Sequence, residues 1–450
     1  MTDTIAAIST ALGVGAISII RVSGKDSVCI ANKIFKGANL KNVPTHTIHY
    51  GHIIDNDECI DEVLVAVMKA PKTFTKEDVV EINCHGSITS TNKILELLLK
   101  NGARLAEPGE FTKIAFLNGR IDLMEAESVM SLINAKSDKA RSLAMNGISG
   151  IISKKIKDIR QEMLELMANI EVNIDYPEYE DALVVTNKMV LDKVCKLKEK
   201  LLKLLDDSKN GKIINDGIKT IIIGSPNVGK SSLLNRLLEE ERAIVTDIAG
   251  TTRDTVEGFI NINGITLNII DTAGIRDTDD AIESIGVKKS LDLINTSDLI
   301  ILVLNSNEKL SEYDKKLLQL IKDKNHIIVI NKIDLENKID FNCDDKYVVN
   351  LSVKDDMGID KLKKCIKDIF NLGNIENKDL TYLSTVRQID LIKNSLNHLN
   401  DVEMGIKKEI PTDILEIDLT SAWEELGKII GESYSEELID QLFSQFCLGK

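Results

Sequence analysis

"IIIGSPNVGKSSLLN" (residues 221–235) carries an apolar run directly into Gly-x-x-x-x-Gly-Lys-Ser and then into a helix-forming stretch. A loop of this kind turns sharply after a buried strand, and its glycines let backbone N–H groups face a phosphate chain. Lys230 is placed to reach β- and γ-phosphate oxygens and the Ser231 hydroxyl to ligate magnesium, beside a helix N-terminus that favours negative charge. Short matches to the pattern arise by chance; the strand before it and the helix after it make this one specific. Around it, "IKTIIIG" (218–224), "TLNIIDT" (266–272), "DLIILVLN" (298–305) and "HIIVINK" (326–332) alternate with helical stretches. That alternation predicts a doubly wound parallel sheet.

Three further elements follow the loop in the order a GTP site needs. "GTTRD" (250–254) supplies a threonine for magnesium, here assigned to Thr252. Asp271 ends the next apolar strand, and Gly274 allows its N–H close to the γ-phosphate. "NKID" (331–334) follows another buried strand; Asp334 can accept the ring N–H and exocyclic amine of guanine, whereas adenine would leave that carboxylate unpaired. "LSVK" (351–354) stands where such domains close over the base. The expected GTP contacts are Asn227, Val228, Gly229, Lys230, Ser231 and Ser232, then Thr246, Asp247, Ile248, Ala249, Gly250, Thr251 and Thr252. Asp271, Thr272, Ala273 and Gly274, with Asn331, Lys332 and Asp334 on the base, complete the set. Ile275 stands where Ras-like GTPases carry a water-orienting glutamine. It can form no hydrogen bond, so either nucleotide is bound without turnover or another group orients the water.

Working outward, residues 1–118 mix short strands with one or two helices: "VLVAVM" (63–68) and "DVVEIN" (78–83) read as strands, "NKILELLLKNGA" (92–103) as a helix ended by Gly102, and "EPGEF" (107–111) as a turn. Ile152, Ile156, Ile159, Met163, Leu166 and Ile170 then keep one apolar seam on a long helix. Val190, Val194, Leu197, Leu201 and Leu204 repeat the stepping, with "DYPEYED" (175–181) as a turn between. It resumes at Ile389, Ile392, Leu396 and Leu399. The economical reading is an N-terminal α+β domain (1–118) and a helical domain (119–216 and 372–450) that receives the α/β domain (217–371) as an insertion. Three domains in series is the alternative.

Composition limits the function classes. The net charge is −15, so the chain lacks the basic footprint of a freestanding nucleic-acid binder, and an RNA substrate would need a partner's surface. The seven cysteines are scattered, without a Cys-x-x-Cys pair, which argues for a reducing compartment and against a disulfide framework or zinc site. Ile5 to Ile20 is apolar but follows Asp3 and is rich in Gly and Ser, so neither a signal peptide nor a membrane span is expected. The expected location is cytoplasmic.

"PGEFT", "NGRIDL" (118–123), "AGTTRD", "DTAGIRD" (271–277) and the terminal "CLGK" together resemble the MnmE (TrmE) family of tRNA modification GTPases over the whole chain. That resemblance implies a Ras-like G domain whose turnover needs a potassium ion held by Asn227, Thr246, Ile248 and Thr251. Magnesium would be held by Ser231 and Thr252, and Glu283 would position the water that Ile275 cannot. It also implies a homodimer joined to an FAD-dependent partner, MnmG, in a heterotetramer. The pair would add a carboxymethylaminomethyl or aminomethyl group to carbon 5 of the wobble uridine of certain tRNAs, with a one-carbon unit from tetrahydrofolate. Arg21, Glu81, Arg120 and Lys450 match the folate-binding positions, and Cys447 would lie near the one-carbon unit. The tail "FCLGK" would be anchored by a helix with Leu438, Leu442 and Phe446 on one face. Asn83 and Ser87 depart from the family's His and Gly. The competing class, a ribosome-assembly GTPase, shares "PNVGKS" but usually adds a basic RNA-binding domain; residues 375–450 carry seven Lys and Arg against fifteen Asp and Glu. A non-hydrolysing regulatory switch is the third possibility.

Overall fold

The computed structural model describes residues 3–175, 187–240, 256–262, 264–270, 293–341, 345–370, 382–432, 436–446, 448 and 449. The chain divides into two compact units, one of residues 1–133, 147–198 and 394–450, the other of 134–146 and 199–393.

The first unit opens with strands β1 (Ile5–Ile8), β2 (Gly15–Ser23), β3 (Phe35–Lys36), β4 (Thr47–Asp55), β5 (Glu58–Met68), β6 (Val79–Gly86) and β7 (Arg104–Leu105). They form one sheet in the order β3-β4-β5-β6-β2-β1-β7, antiparallel except for the β1–β7 pair. Side chains alternate across a strand, so Ile20 and Val22, Val63, Val65 and Val67, and Val80 and Ile82 all reach one face. Ile30 and Ile34 of helix α1 (Ser27–Ile34) and Ile94 and Leu98 of α2 (Ile88–Lys100) cover that face. Together with α3 (Glu110–Leu117) this makes three helices before residue 118, one more than the sequence suggests. Of these the sequence places only α2; α1 is eight residues long with no side-chain cap on Asp26, so tertiary packing holds it.

The helical part of this unit contains α4 (Leu123–Asn134), α6 (Ile151–Asp175), α12 (Thr412–Ile430) and α13 (Glu436–Phe443), together with the first turns of α7 (Asn187–Asp216) and the later turns of α11 (Val386–Lys407). All six expected seam residues of α6 are buried, each contributing about 1.5–3 kcal/mol of transfer free energy. Arg160 lies in the same wall yet is 5% exposed. Its Nε donates to the Trp423 carbonyl at 3.3 Å, its guanidinium stacks 4.0 Å over the Trp423 ring, and it pairs with Glu432. A buried cation is tolerable only when partnered in this way.

One expectation needs correction. On α13 the buried residues are Ile439 and Phe443, and Leu438 is 39% exposed. Leu442 and Phe446 do pack with them, against Phe116 and Leu123. The inward face is therefore rotated by one residue from the 438–442–446 stripe, because the aromatic Phe443 takes the deepest position.

The second unit holds β8 (Ile218–Ile223), β9 (Val256–Ile262), β10 (Ile265–Ile270), β11 (Leu299–Asn305), β12 (His326–Asn331) and β13 (Val348–Asn350), in the order β13-β12-β11-β8-β10-β9. Every pairing is parallel except the edge pair β10–β9. β11 shows why its sequence reads as continuously apolar: it is buried on both faces. Leu299, Ile301 and Val303 meet α8 (Lys230–Glu240) and α10 (Ile359–Ile369), and Ile300, Leu302 and Leu304 meet Leu317 and Ile321 of α9 (Glu312–Ile321). Leu143 of α5 (Asp138–Ile148) joins the first of these cores. The strand order reverses at β8, and the loop after a strand at such a switch point is where open α/β sheets bind ligands.

Candidate functional site

The loop at that switch point runs from Gly224 to Gly229, and α8 begins at Lys230. Two of its residues need glycine. At Gly224 (φ +149°) a Cβ would lie 2.2 Å from the Val303 carbonyl, and at Gly229 (φ +99°) it would lie 2.3 Å from Asn331 Nδ2. Asn227 also has positive φ, at 60°. The Lys230 ammonium folds back over the loop and donates to the Gly224 and Ser225 carbonyls, both at 2.8 Å. Ser231 and Ser232 are exposed on the first turn of α8, and Val228 is buried.

The base-reading loop is tied to this one. Asn331, 3% exposed, donates from Nδ2 to the Val228 carbonyl at 2.8 Å, and its Oδ1 accepts from the Lys332 and Val353 N–H groups. Lys332, at φ +62°, donates from Nζ to the Asn227 carbonyl at 2.7 Å. The exposed Asp334 carboxylate accepts from the buried Ser352 hydroxyl at 2.9 Å. Asn331 and Lys332 therefore join the 224–229 loop to the 331–334 loop, and Ser352 of the "LSVK" segment fixes the Asp334 carboxylate.

Sequence reading missed one supporting residue. Asp314, 7% exposed, accepts from Ser225 Oγ at 2.7 Å, from Ser311 N at 3.0 Å and from Ser311 Oγ at 2.7 Å. It thus closes the capping box of α9 and holds the phosphate loop at once. "SEYD" (311–314) carries the capping signal, but nothing local points to Ser225.

Several expected residues lie outside the described ones: Thr246, Asp247, Ile248, Ala249, Gly250, Thr251, Thr252, Asp271, Thr272, Ala273, Gly274, Ile275, Glu283, Cys447 and Lys450. Of the donors expected for potassium, Asn227 is described, and of those for magnesium, Ser231.

In the first unit the β2–β6 register sets Arg21 opposite Glu81. Arg21 Nε donates to Glu81 Oε1 at 2.8 Å, and Nη1 donates to the Gly449 carbonyl at 3.2 Å. Ser9 Oγ donates to the same carbonyl at 3.0 Å. Arg21 lies 5.7 Å from the Phe111 ring centre and Arg120 4.9 Å from that of Phe74, and these two rings belong to one apolar cluster. Arg120 also donates to the Thr73 carbonyl at 3.1 Å. Each guanidinium thus lies near a ring of one apolar cluster, and Arg21 carries the Glu81 carboxylate with it, residue types that suit a ligand with carboxylates and N–H donors.

A family model described as the MnmE helical domain matches residues 123–447, and one described as the GTP-binding protein TrmE N-terminus matches residues 4–120. The tRNA modification GTPase MnmE of Bacillus cytotoxicus is 52% identical over 455 residues, covering 100% of this chain and 99% of that one. Its namesake from Ligilactobacillus salivarius is 53% identical over 456 residues, covering 100% and 98%. Among solved structures, the G domain of the T. maritima FeoB iron transporter is 27% identical, covering 34% of this chain and 98% of that one, with a TM-score of 0.25. None of the described helices is long and apolar enough to cross a membrane.

Proposed function

This chain belongs to the tRNA modification GTPase MnmE family and is a GTP hydrolase, and from that premise we propose that it acts on the wobble uridine of tRNA with a flavoprotein partner, MnmG. In this reading GTP is held by the N–H groups of residues 227–232, by Lys230, and by Asn331, Lys332 and Asp334 on the base. Lys230 exchanges the Gly224 and Ser225 carbonyls for phosphate oxygens. Ser231 and Thr252 hold magnesium, and Asn227, Thr246, Ile248 and Thr251 hold potassium. These cations supply positive charge where negative charge develops between the phosphates. Glu283 orients the attacking water.

Arg21, Glu81, Arg120 and Lys450 would hold a tetrahydrofolate derivative in a homodimer, which would supply a one-carbon unit there, with Cys447 beside it. The product is a carboxymethylaminomethyl or aminomethyl group on carbon 5 of the uridine, made in the cytoplasm. The observation that supports the reading best is that one chain carries both a guanine-reading loop bonded to its phosphate loop and an Arg21–Glu81 pair onto which Gly449 docks.

Mass spectrometry of wobble uridines from cells lacking the protein is the direct test, with the modified nucleoside expected to disappear and to return with the wild-type chain. Unchanged uridines would refute the tRNA assignment. For the cation, GTP turnover should be fast in potassium and slow in sodium, and Asn227→Ala should lose that difference while still binding nucleotide.

A further inference from the structure

We propose that Asp314 is a positioning residue for the bound nucleotide and acts on it through Ser225. The inference rests on reading the 224–229 loop as the phosphate loop. That loop has two halves, and each is tethered from outside. The second half is held from the base-reading side, where Asn331 Nδ2 donates to the Val228 carbonyl and Lys332 Nζ to the Asn227 carbonyl. The first half is held by the Ser225 hydroxyl, which donates to Asp314 Oδ1 at 2.7 Å. Beside Ser225 the loop faces a cavity of about 60 Å³ lined by Leu304, Asn305, Ser311 and Ile339. Close packing does not fix the loop on that side, so the hydrogen bond does.

Asp314 suits this role because it is itself immobilised. It is 7% exposed, and its Oδ2 accepts from Ser311 N at 3.0 Å and from Ser311 Oγ at 2.7 Å. A carboxylate buried that far is tolerable when its oxygens are hydrogen-bonded, and the N-terminus of α9 adds a favourable potential. The connection that leads from β11 to α9 is fixed at its other end as well. Ser306, 2% exposed, donates from Oγ to the Lys332 carbonyl at 2.7 Å and from N to the Asn331 carbonyl at 2.9 Å. Residues 305–314 therefore tie both nucleotide loops to the end of one buried strand. The Ser225 carbonyl in turn accepts from Lys230 Nζ at 2.8 Å, so a shift of Ser225 is passed to the lysine. Binding groups lose much of their effect when displaced by about an ångström. Asp314 acts at one remove: it sets where residues 225 to 230 stand.

Titration of the purified full chain with a fluorescent GDP analogue reads the effect, with thermal unfolding recorded on the same samples. Ser225→Ala leaves the capping box of α9 intact, so its Tm should barely change while its affinity for GDP falls roughly tenfold, as expected for losing one hydrogen bond to a charged group. Ser225→Thr, which restores the hydroxyl, should recover most of that loss. Asp314→Ala should weaken GDP at least as much and lower Tm besides, because it also removes the cap. The double variant should bind GDP no worse than Asp314→Ala, since the two side chains act as one unit. If Asp314→Ala fails to fold, Asp314→Asn, whose amide oxygen can still cap α9, replaces it in the cycle. A Ser225→Ala chain that binds GDP within twofold of wild type would overturn the proposal, and so would single effects that multiply in the double variant. Lys230→Ala tests the underlying reading separately. If it binds GDP normally, the loop is not the phosphate loop; if it loses GDP while Ser225→Ala does not, only the positioning role fails.

Discussion

Replacing Gly229 with alanine tests whether the phosphate loop and the base-reading loop act as one piece. The added Cβ would lie 2.3 Å from Asn331 Nδ2, about an ångström inside ordinary contact, and φ there is +99°. Left-handed backbone costs an L-residue roughly 1–2 kcal/mol. Asn331 must also withdraw from the Val228 carbonyl, now 2.8 Å away, leaving buried polar groups unpaired at about 1–3 kcal/mol. The sum is roughly 2–5 kcal/mol. In the nucleotide-free chain the whole sum appears as lost stability: Tm should fall by at least roughly 4 °C, at ~2 °C per kcal/mol for a unit of this size. The part carried by Asn331 should weaken GDP by roughly tenfold or more, since ~1.4 kcal/mol is a factor of ten. Titration of the purified variant with a fluorescent GDP analogue, alongside thermal unfolding, separates the two. A variant that binds GDP within twofold of wild type would refute the coupling, whatever its Tm.

With Asp334 reading guanine as proposed, Asp334→Asn should remove two charge-assisted hydrogen bonds worth about 1.5–3 kcal/mol each, so GTP affinity should fall by roughly 10²–10⁴. Xanthine nucleotides, which replace the exocyclic amine by a carbonyl, should gain; competition binding reads both, and unchanged guanine preference would remove Asp334 from base recognition. Glu283→Ala should cut hydrolysis by roughly 10²–10⁴ with little change in GTP affinity, and a near-normal rate in single-turnover assays would return the task to another residue. The Lys198 and Lys407 ammonium groups hold the Glu403 carboxyl at about 2, below its ordinary 4.5. A depressed folded-state value adds stability above the unfolded value that is lost as pH falls through the folded one. The stability gap between wild type and Glu403→Gln should therefore be full above about pH 5.5, narrow through 4.5 and vanish near 2; urea unfolding across that range would expose a pH-independent gap as a contradiction.

The parallel sheet was legible because its information is local. A strand buried on both faces must be apolar throughout, and β11 is; a loop packed this closely must carry glycine where a positive φ meets a neighbour that leaves no room for a Cβ, and Gly224 and Gly229 do. What was not legible depends on register between distant segments. Arg21 and Glu81 are 60 residues apart, and only the β2–β6 pairing makes them partners. Asp314 reaches Ser225 across 89 residues. The misplaced face of α13 has the same origin. A stripe at 438, 442 and 446 and one at 439, 443 and 446 are both helical, and the choice is made by Phe116 and Leu123, which lie more than 300 residues earlier.

The chain's end shows how a tail can be specified without a motif of its own. At Gly449, φ is +83°, and a Cβ would lie 2.4 Å from the Ile8 carbonyl. The Gly449 carbonyl is the shared acceptor of Ser9 and Arg21. The backbone of β1 thus selects glycine at 449 by excluding any side chain, and Arg21 then fixes the direction of the peptide. Arg21 meets Glu81 on one side and the tail on the other, so a carboxylate-bearing ligand must either use the guanidinium's remaining N–H groups or displace one of these partners. Displacing Gly449 would free the tail; using the remaining N–H groups would leave it clamped beside the ligand. The clamped arrangement keeps all the hydrogen bonds already made and costs only the desolvation of the remaining N–H groups. It is therefore the cheaper of the two, and a bound folate and an ordered tail should occur together.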